Sequence, residues 1–291
     1  MNGIIVLNKP KDITSHDAVH KMRKILCMRS VGHAGTLDPL ATGILPILLG
    51  DATKISKYMI DHDKEYKVTL KFGSRTNTGD ITGEEIESVE IKETFFDEEN
   101  IKDVLESFIG KQEQTPSMYS AIKVKGKKLY EYARAGETVE VPKRNIEIYS
   151  IYLLDMNIKT KEIVFKVKCS KGTYMRSLCE DIAKELGTIG TMSALERTVV
   201  GDFKLKDTLE FQALEKMSIE EIKKATISIE KVFENVDSIK FKEDSELRMF
   251  LNGMRSIYKV KNGIYRIYDK NSKFIGLGTI LNGLLKRDVV L

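Results

Sequence analysis

The sequence lacks any run of about eighteen uncharged apolar residues, the length that a membrane-spanning helix needs. It also lacks the charged and apolar regions of a secretory signal, because a strand-like segment, residues 4–7, comes directly after the amino terminus. We therefore expect a cytoplasmic protein that has no contact with a membrane.

Cysteine is scarce. The three cysteines, Cys27, Cys169 and Cys179, are widely spaced and include no CxxC pair or clustered histidine. This spacing predicts neither a disulfide framework nor a zinc site. We interpret all three as small core residues, and we expect no metal or other cofactor.

A strong excess of one charge is missing as well, since the formal net charge is only +4 over 291 residues. The charge is nevertheless uneven, because residues 237–291 carry 11 Lys and Arg against 6 Asp and Glu. A basic carboxy-terminal segment fits either a surface for nucleic-acid phosphates or an ordinary solvated surface. The length and the 42% content of hydrophobic residues allow one large domain and a smaller one.

The most distinctive segment is residues 32–43, GHAGTLDPLATG. Its three glycines let the backbone approach other groups closely, and its single acid, Asp38, is the only strong nucleophile there. Pro39 favours extended backbone at Asp38, which fixes the direction of the carboxylate. Asp38 is thus a candidate catalytic residue, and the alternative is a turn in which its side chain bonds its own backbone.

Residues 35–43 resemble the signature of the TruB family of tRNA pseudouridine synthases, whose nucleophile is the aspartate of this motif. The resemblance implies an α+β fold with a mixed, mainly antiparallel sheet flanked by helices, followed by a small PUA-like β-barrel domain. We expect a catalytic domain over residues 1–235 and a PUA-like RNA-binding domain over residues 236–291. Within the first, residues 187–203 resemble the closing strand of the catalytic sheet.

The segment before this loop resembles the family's first motif, which supports the catalytic loop, through Lys9-Pro10 and Thr14-Ser15. Lys9 is expected to contact RNA, and Ser15 is expected to cap a helix. Asp12 stands where the family usually has glycine. Because aspartate tolerates left-handed backbone better than most residues, we expect the turn to survive.

Residues 64–72 alternate between apolar and polar residues, which predicts a half-buried strand with Tyr66 on its core face. By itself this pattern indicates a core tyrosine. The resemblance implies that Tyr66 stacks on the target base and takes part in proton transfer, and it makes Lys64 an RNA contact. In the same family pattern, His33 helps to extrude the base and binds RNA.

A polar and basic segment, residues 114–144, which we call the flap, interleaves lysines with tyrosines. Cations suit phosphates and aromatic rings stack on bases, so the flap is typical of an RNA-gripping insertion. We expect a hairpin followed by an exposed helix. The predicted RNA contacts here are Lys123, Lys125, Lys127 and Arg134.

The sequence Gly172 to Arg176, GTYMR, precedes a predicted helix with Tyr174, Leu178 and Ile182 on its apolar face. Arg176 lies off that face, where an exposed ion pair with Glu180 is one possibility. The resemblance implies instead that Arg176 is a catalytic residue that pairs with Asp38. Such a pair would keep a buried carboxylate ionised.

The implied reaction is the isomerisation of uridine 55 in the T-loop of tRNA to pseudouridine by base flipping and covalent catalysis, with attack either at the sugar or at the base. We expect a monomer that binds the tRNA T-arm without a guide RNA. Two other classes remain open. A glycoside hydrolase would need a second carboxylate for which no motif stands out, and an RNA-binding protein without activity would have no use for a carboxylate facing a polyanion.

Overall fold

The computed structural model describes residues 1–291. In chain order the strands are β1 (Gly3–Lys9), β2 (Val31–His33), β3 (Thr42–Leu49), β4 (Lys64–Phe72), β5 (Ser74–Thr76), β6 (Glu85–Ser88), β7 (Gly110–Gln114), β8 (Lys123–Val124), β9 (Lys127–Lys128), β10 (Arg144–Asn157), β11 (Glu162–Cys169), β12 (Gly190–Val200), β13 (Phe203–Lys204), β14 (Ser238–Lys240), β15 (Ser256–Ile257), β16 (Gly263–Tyr268), β17 (Phe274–Leu281) and β18 (Leu284–Val290). The α-helices are α1 (Ser15–Leu26), α2 (Ser56–Ile60), α3 (Glu98–Ser107), α4 (Leu129–Arg134), α5 (Met175–Glu185), α6 (Phe211–Lys216), α7 (Ile219–Ala225), α8 (Ile229–Val232) and α9 (Asp244–Leu251). None of these helices is long and apolar enough to cross a membrane.

A nine-stranded sheet forms the body of the protein. Its main order is β1-β3-β12-β4-β11-β10-β7, with β2 paired to β3 and β13 paired to β12. Every pair is antiparallel except β3 with β12. This is the predicted mixed, mainly antiparallel sheet.

The position of β12 differs from the prediction. Residues 187–203 were expected to close the sheet, but β12 lies in its middle, between β3 and β4. Alternation of side chains predicts a strand but carries no information about which strands become its neighbours. The central position matters for the site, because it places Arg197 of β12 directly opposite Tyr66 of β4.

One face of this sheet carries the main core. Tyr66, Val68, Leu70 and Phe72 of β4 are all buried there, as their alternation predicted. They share one apolar cluster with residues of α1, α3 and α5. The packing of helices on this face fixes where α5, and hence Arg176, stands relative to the strands.

In the turn before α1, the backbone of Asp12 is as predicted, but the residue that caps the helix is not. Asp12 has a φ of 68°, the left-handed conformation that we expected it to tolerate. The helix cap, however, is Thr14 and not Ser15: the Thr14 side chain accepts from the backbone N–H of Asp17, whose carboxylate accepts from the backbone of Thr14 in return. Ser15 is instead buried, and its hydroxyl bonds both the N–H and the carbonyl of Leu37, one residue before Asp38.

The three cysteines are all free, but only Cys169 and Cys179 are buried. The interpretation of Cys27 as a core residue was wrong. Cys27 ends α1 with left-handed backbone, at a φ of 49°, and is exposed. A helix end at the surface decides its exposure, which the residue type alone does not reveal.

A second sheet contains the last five strands, in the order β14-β16-β17-β18-β15. One set of its residues surrounds Phe250 in a small core of its own. Leu277 and Val289, in contrast, pack with Ile55, Met59 and Phe233 in a cluster that joins this sheet to the body of the protein. The carboxy-terminal sheet is therefore fastened to the larger one by a shared apolar contact.

Candidate active site

A cleft of about 1700 Å³ opens beside the central strands of the large sheet. Its walls come from the loop around Asp38, the start of β4, the amino-terminal end of α5 and the flap. The residues that line it include Asp38, Tyr66 and Arg176, the three predicted catalytic residues. Segments that are far apart in the sequence thus converge on one cavity.

Asp38 and Arg176 form an ion pair in this cleft. The Arg176 Nε lies 3.1 Å from the Asp38 Oδ2, and the side chains of Arg176 and Asp38 are 6% and 36% exposed. The buried cation therefore holds a carboxylate that still faces the cavity. Fixing the carboxylate in one direction is what a nucleophile requires.

Arg176 is anchored on two further sides. Its Nη1 donates to the carbonyl of Thr78 at 2.9 Å, and its Nη2 donates to the carbonyl of Tyr119, in the flap, at 3.0 Å. The interpretation of Arg176 as an exposed partner of Glu180 was wrong, because the residue is 5% exposed and its ion pair is with Asp38. A guanidinium presents several donors in a fixed plane, so one side chain joins the catalytic loop, the turn after β5 and the flap.

The surroundings of Asp38 have opposite effects on the pKa of its carboxyl. Burial raises the pKa of the Asp38 carboxyl, and the neighbouring Asp80 carboxylate adds to this, whereas the cations of Arg176 and Lys9 lower it. The net direction is upward, because burial in a site of low polarity penalises the charged form most. Arg176 thus offsets part, but not all, of the cost of keeping the carboxylate ionised.

Tyr66, near the start of β4, also lines the cleft. The residue is only 8% exposed, and burial raises the pKa of its phenol above the ordinary value. Its register partner on β12, Arg197, is 1% exposed, and the Arg197 cation lowers the pKa of the phenol, which opposes part of the rise caused by burial. Nothing in the sequence around Arg197 predicted its burial, because a single arginine in a strand is compatible with an exposed or a buried side chain.

Lys9 and Lys64 are both buried lysines, but only Lys64 lines the cleft, so Lys9 alone lacks the position expected of an RNA contact. The Lys9 side chain is fully buried, and its ammonium donates to the carbonyls of Pro10, Ile13 and Pro39. Lys64 is 8% exposed and donates to the carbonyls of Ile60, at 2.7 Å, and His62. Burial lowers the pKa of each of these lysines to about 8.

Lys9 therefore has a structural task. By bonding carbonyls on both sides of the turn before α1 and the carbonyl of Pro39, it ties that turn to the residue next to Asp38. This agrees with the expectation that the first motif supports the catalytic loop, and it explains why the RNA contact assigned to Lys9 does not fit its position.

His33 lies at the end of β2, is partly buried and lines the cleft. Its Nδ1 is buried and has no hydrogen-bond partner. Burial lowers the pKa of the imidazole, and the nearby Arg197 cation acts in the same direction. His33 therefore presents a largely neutral ring to the cleft.

The flap contains the expected hairpin, of β8 and β9, which leads into the short helix α4. The expectation of an exposed helix was wrong, because Leu129 is buried and only Arg134 of α4 is exposed. Lys123 and Lys125 are exposed on the hairpin but do not line the cleft. Lys127 pairs with Glu137 at 3.3 Å, and its ammonium lies over the ring of Tyr132. Arg134 lines the cleft and stands over the ring of Tyr130, 5.4 Å from its centre.

The cleft is lined by more cations than the motifs indicated. Eight Lys and Arg residues face three Asp and Glu residues in it: Lys64, Lys111, Lys128, Arg134, Arg144, Lys171, Arg176 and Arg197 against Asp38, Glu113 and Glu147. Sequence analysis missed Lys111, Lys128, Arg144 and Lys171 as members of the site. Lys128 and Arg144 belong to the basic flap, whereas Lys111 and Lys171 stand in two other segments without a local cluster of charge.

Comparison with known proteins identifies the family of this chain. The family model of the TruB family pseudouridylate synthase N-terminal domain matches residues 23–175, and that of the tRNA pseudouridylate synthase B C-terminal domain matches residues 176–254. The tRNA pseudouridine synthase B of Francisella tularensis is 42% identical over 98% of this chain and 93% of its own length. The enzyme of the same name from Caldanaerobacter subterraneus is 41% identical over 96% of this chain and 95% of its own length.

Solved structures agree on the fold. A chain of an H/ACA RNP bound to a substrate RNA containing 2'-deoxyuridine superposes with a TM-score of 0.72 at 24% identity, over 99% of this chain and 85% of that one. A chain of an archaeal box H/ACA sRNP complex gives a TM-score of 0.71 at 23% identity, over 99% of this chain and 86% of that one. The family models and the relatives of high coverage together show that this chain belongs to the TruB family of pseudouridylate synthases.

Proposed function

We propose that this enzyme converts the uridine at position 55 of the tRNA T-loop to pseudouridine, with Asp38 as the covalent nucleophile. The observation that carries the proposal is the Asp38 carboxylate, held by Arg176 at 3.1 Å and open to a cleft in which Lys and Arg outnumber Asp and Glu. Family membership supplies the reaction class, since curated relatives along nearly the whole chain are tRNA pseudouridine synthases B.

The substrate base has to leave the stacked loop before the reaction. Neither the glycosidic carbon nor C5 of uracil is accessible within a stack, so we propose that the uridine flips into the cleft. Tyr66 and His33, which both line the cleft, provide surfaces for the extruded ring. Stacking of a base on an aromatic side chain contributes about 1–3 kcal/mol, which offsets part of the cost of unstacking.

In the proposed reaction, Asp38 attacks the flipped uridine either at the sugar or at the base ring. The bond between the glycosidic carbon and N1 breaks, the uracil turns within the cavity, and a bond forms between the same carbon and C5. The bond from Asp38 to the substrate breaks before the product leaves, which restores the carboxylate. The hydrogen on C5 leaves as a proton, and N1 of the product carries one. Because both bonding partners belong to one substrate, the atoms balance without a second reactant, and Tyr66 is the proposed group for proton transfer.

The remaining surface is proposed to grip the T-arm as follows. The flap cations Lys123, Lys125, Lys127 and Arg134 lie along one side of the cleft mouth or on the hairpin beyond it. We assign the PUA-like RNA-binding role to residues 236–291 and the catalytic role to residues 1–235. The enzyme is proposed to act in the cytoplasm as a monomer without a guide RNA.

The test is release of tritium from a T-loop RNA labelled at C5 of uridine 55. We expect release by the wild-type chain and none by Asp38→Asn, with RNA affinity retained in both. Glu113→Gln, which changes another carboxylate of the same cleft, is the matched control and should keep its activity. Binding without release by the wild-type chain would contradict the proposal for this substrate and favour a guide-dependent or purely RNA-binding role.

A further inference from the structure

Arg197 is a buried cation that has no anionic partner. Its side chain is 1% exposed, and no carboxylate lies within ion-pair distance of it among residues 1–291. Its other charged neighbours are the cations of Lys9 and Lys64, and the ring of His33 is also close. Keeping an unpaired guanidinium in such surroundings costs free energy, so its position calls for a compensating role.

The contacts of the guanidinium are directed at the catalytic loop. The Nε donates to the carbonyl of Ile44 at 2.8 Å, and the Nη2 donates to the carbonyl of Gly35 at 2.9 Å. A weaker contact of 3.5 Å joins Nη1 to the carbonyl of Thr36. Two of these acceptors lie within three residues of Asp38, so Arg197 holds the loop that carries the nucleophile.

The same side chain reaches Tyr66. Arg197 and Tyr66 are register partners in the β12–β4 ladder, which brings their side chains onto the same face. A guanidinium can only donate hydrogen bonds, so an Arg197 N–H that turns toward Tyr66 finds the hydroxyl oxygen as its acceptor. The hydroxyl proton is then free to point away from Arg197, and the open direction is the cleft that Asp38 also lines.

We propose that Arg197 is a positioning residue that couples the two halves of the active site. It fixes the Tyr66 hydroxyl as a proton donor toward the cleft while it holds the Asp38 loop at a set distance from it. When Tyr66 shares its proton with the substrate, negative charge develops on the phenol oxygen, and the permanently charged guanidinium stabilises it. The catalytic role of Arg197 rests on the proposed function. The coupling of Arg197 to Tyr66 does not, and it can be measured without a substrate.

Other groups also face Tyr66. Asp38 approaches from the catalytic loop, and the Cys169 thiol approaches from β11. Burial raises the pKa of that thiol to about 11, so Cys169 is neutral at physiological pH. Arg197 is therefore the only one of these neighbours that stabilises a phenolate. Removal of its charge should raise the pKa of Tyr66.

The experiment replaces Tyr66 with a fluorinated tyrosine whose phenol titrates within the stable pH range, in the full-length chain. The ¹⁹F chemical shift then reports the protonation of this phenol alone. We expect Arg197→Gln to raise the midpoint by one pH unit or more, and Arg197→Lys, which keeps the charge, to change it much less. Equal midpoints in the wild-type, Arg197→Gln and Arg197→Lys chains would overturn the proposal.

A second measurement covers the case in which Arg197→Gln does not fold. In the wild-type chain that carries the fluorinated tyrosine, a guanidinium ¹⁵N resonance is assigned to Arg197 by its loss in Arg197→Lys. We expect this resonance to move at the same pH as the ¹⁹F signal, and a resonance that ignores the titration would overturn the proposal. Failure of the tritium assay with intact coupling would instead count against the proposed substrate.

Kinetics give the catalytic readout. In single turnover, Arg197→Lys should lower the rate of the chemical step tenfold or more while RNA affinity stays within twofold of the wild type. Lys166→Arg, on the exposed part of neighbouring β11, is the matched control. A loss confined to RNA affinity would show a purely structural role and overturn the assignment.

Discussion

At the residue scale, the main tension in this enzyme lies at Asp38. The carboxylate has to be ionised to act as a nucleophile, yet burial raises its pKa above the ordinary 3.8. Arg176 and Lys9 oppose this rise but do not cancel it. The proposed nucleophile is thus destabilised in the folded protein, which is a common cost of a preorganised site.

The raised pKa predicts the pH dependence of stability. The folded state binds a proton on Asp38 more strongly than the unfolded state, so the contribution of this group to stability increases as pH falls from above its folded pKa toward 3.8. At pH 7 the ionised carboxylate therefore costs stability, and Asp38→Asn should melt at the same temperature as the wild type or at a higher one. Thermal melts by circular dichroism at pH 7 check this, and a clear drop in Tm of the variant would contradict it.

The raised pKa of Asp38 also predicts where the reaction rate falls at low pH, the acid limb of the pH profile. We expect the rate of the chemical step to fall as the solution becomes more acidic than the Asp38 pKa, at a pH above the 3.8 of a free carboxyl. Single-turnover tritium release measured over a pH series locates this limb. A limb at or below pH 3.8 would show that the pairing with Arg176 outweighs burial.

Arg176 provides the second prediction at this scale. Arg176→Lys keeps the positive charge but loses the planar set of donors that reaches Asp38, Thr78 and Tyr119 together. Since a hydrogen bond to a charged group contributes about 1.5–3 kcal/mol, loss of one such contact in the transition state lowers the rate about 10- to 150-fold. Single-turnover kinetics measure this, with Arg75→Lys on the exposed Arg75–Glu87 pair as control. Equal rates for both variants would show that only the charge at position 176 matters.

At the element scale, the flap is tied to the catalytic helix at several points. Gln114 exchanges two hydrogen bonds with the backbone of Tyr174, and the Ser177 hydroxyl donates to the carbonyl of Thr115. With the bond from Arg176 to Tyr119, these contacts fix the base of the flap to the start of α5. An RNA that moves the flap therefore acts on the same helix that holds Asp38.

The flap cations are expected to divide by position. Lys128 and Arg134 line the cleft, whereas Lys123 and Lys125 stand on the outer hairpin. Each phosphate contact contributes about one unit to the slope of log K against log salt. We expect the double variant Lys128→Ala and Arg134→Ala to lose about two units of slope in filter binding of a T-arm RNA, and the double variant Lys123→Ala and Lys125→Ala to lose less. The reverse order would place the RNA on the outer face of the hairpin.

At the scale of the whole molecule, the two sheets share part of their core. Leu277 and Val289 of the carboxy-terminal sheet pack with Ile55, Met59 and Phe233. Lys57 of α2 also pairs with Asp288 of β18. The basic carboxy-terminal segment is thus packed against the body of the protein by apolar contacts and an ion pair.

This shared core predicts cooperative unfolding. Leu277 is 0% exposed, so Leu277→Ala should cost about 2–5 kcal/mol of unfolding free energy. Because its cluster spans both sheets, we expect a single transition shifted as a whole in calorimetry. Ile257→Ala, at a residue 80% exposed in the same sheet, should leave the transition unchanged. Two separate transitions, of which only one moves, would show that the sheets unfold independently.

The sequence by itself determined the local features of this protein. Alternation placed β4 and its core face, the Gly and Pro pattern marked the Asp38 loop, and the tolerance of aspartate for left-handed backbone predicted the turn at Asp12. These features depend on the sterics of neighbouring residues and on the period of apolar side chains. Both are present within a few residues of sequence.

Only the tertiary structure decided which segments meet. It placed β12 in the middle of the sheet, set Arg197 against Tyr66 and brought Arg176 to Asp38. It also buried Lys9, which its charge had suggested as a surface residue. The contacts of Arg197 and Arg176 join segments more than a hundred residues apart, and even Lys9 reaches Pro39, 30 residues away. Chain topology and burial determine such contacts, and residue type alone carries no record of them.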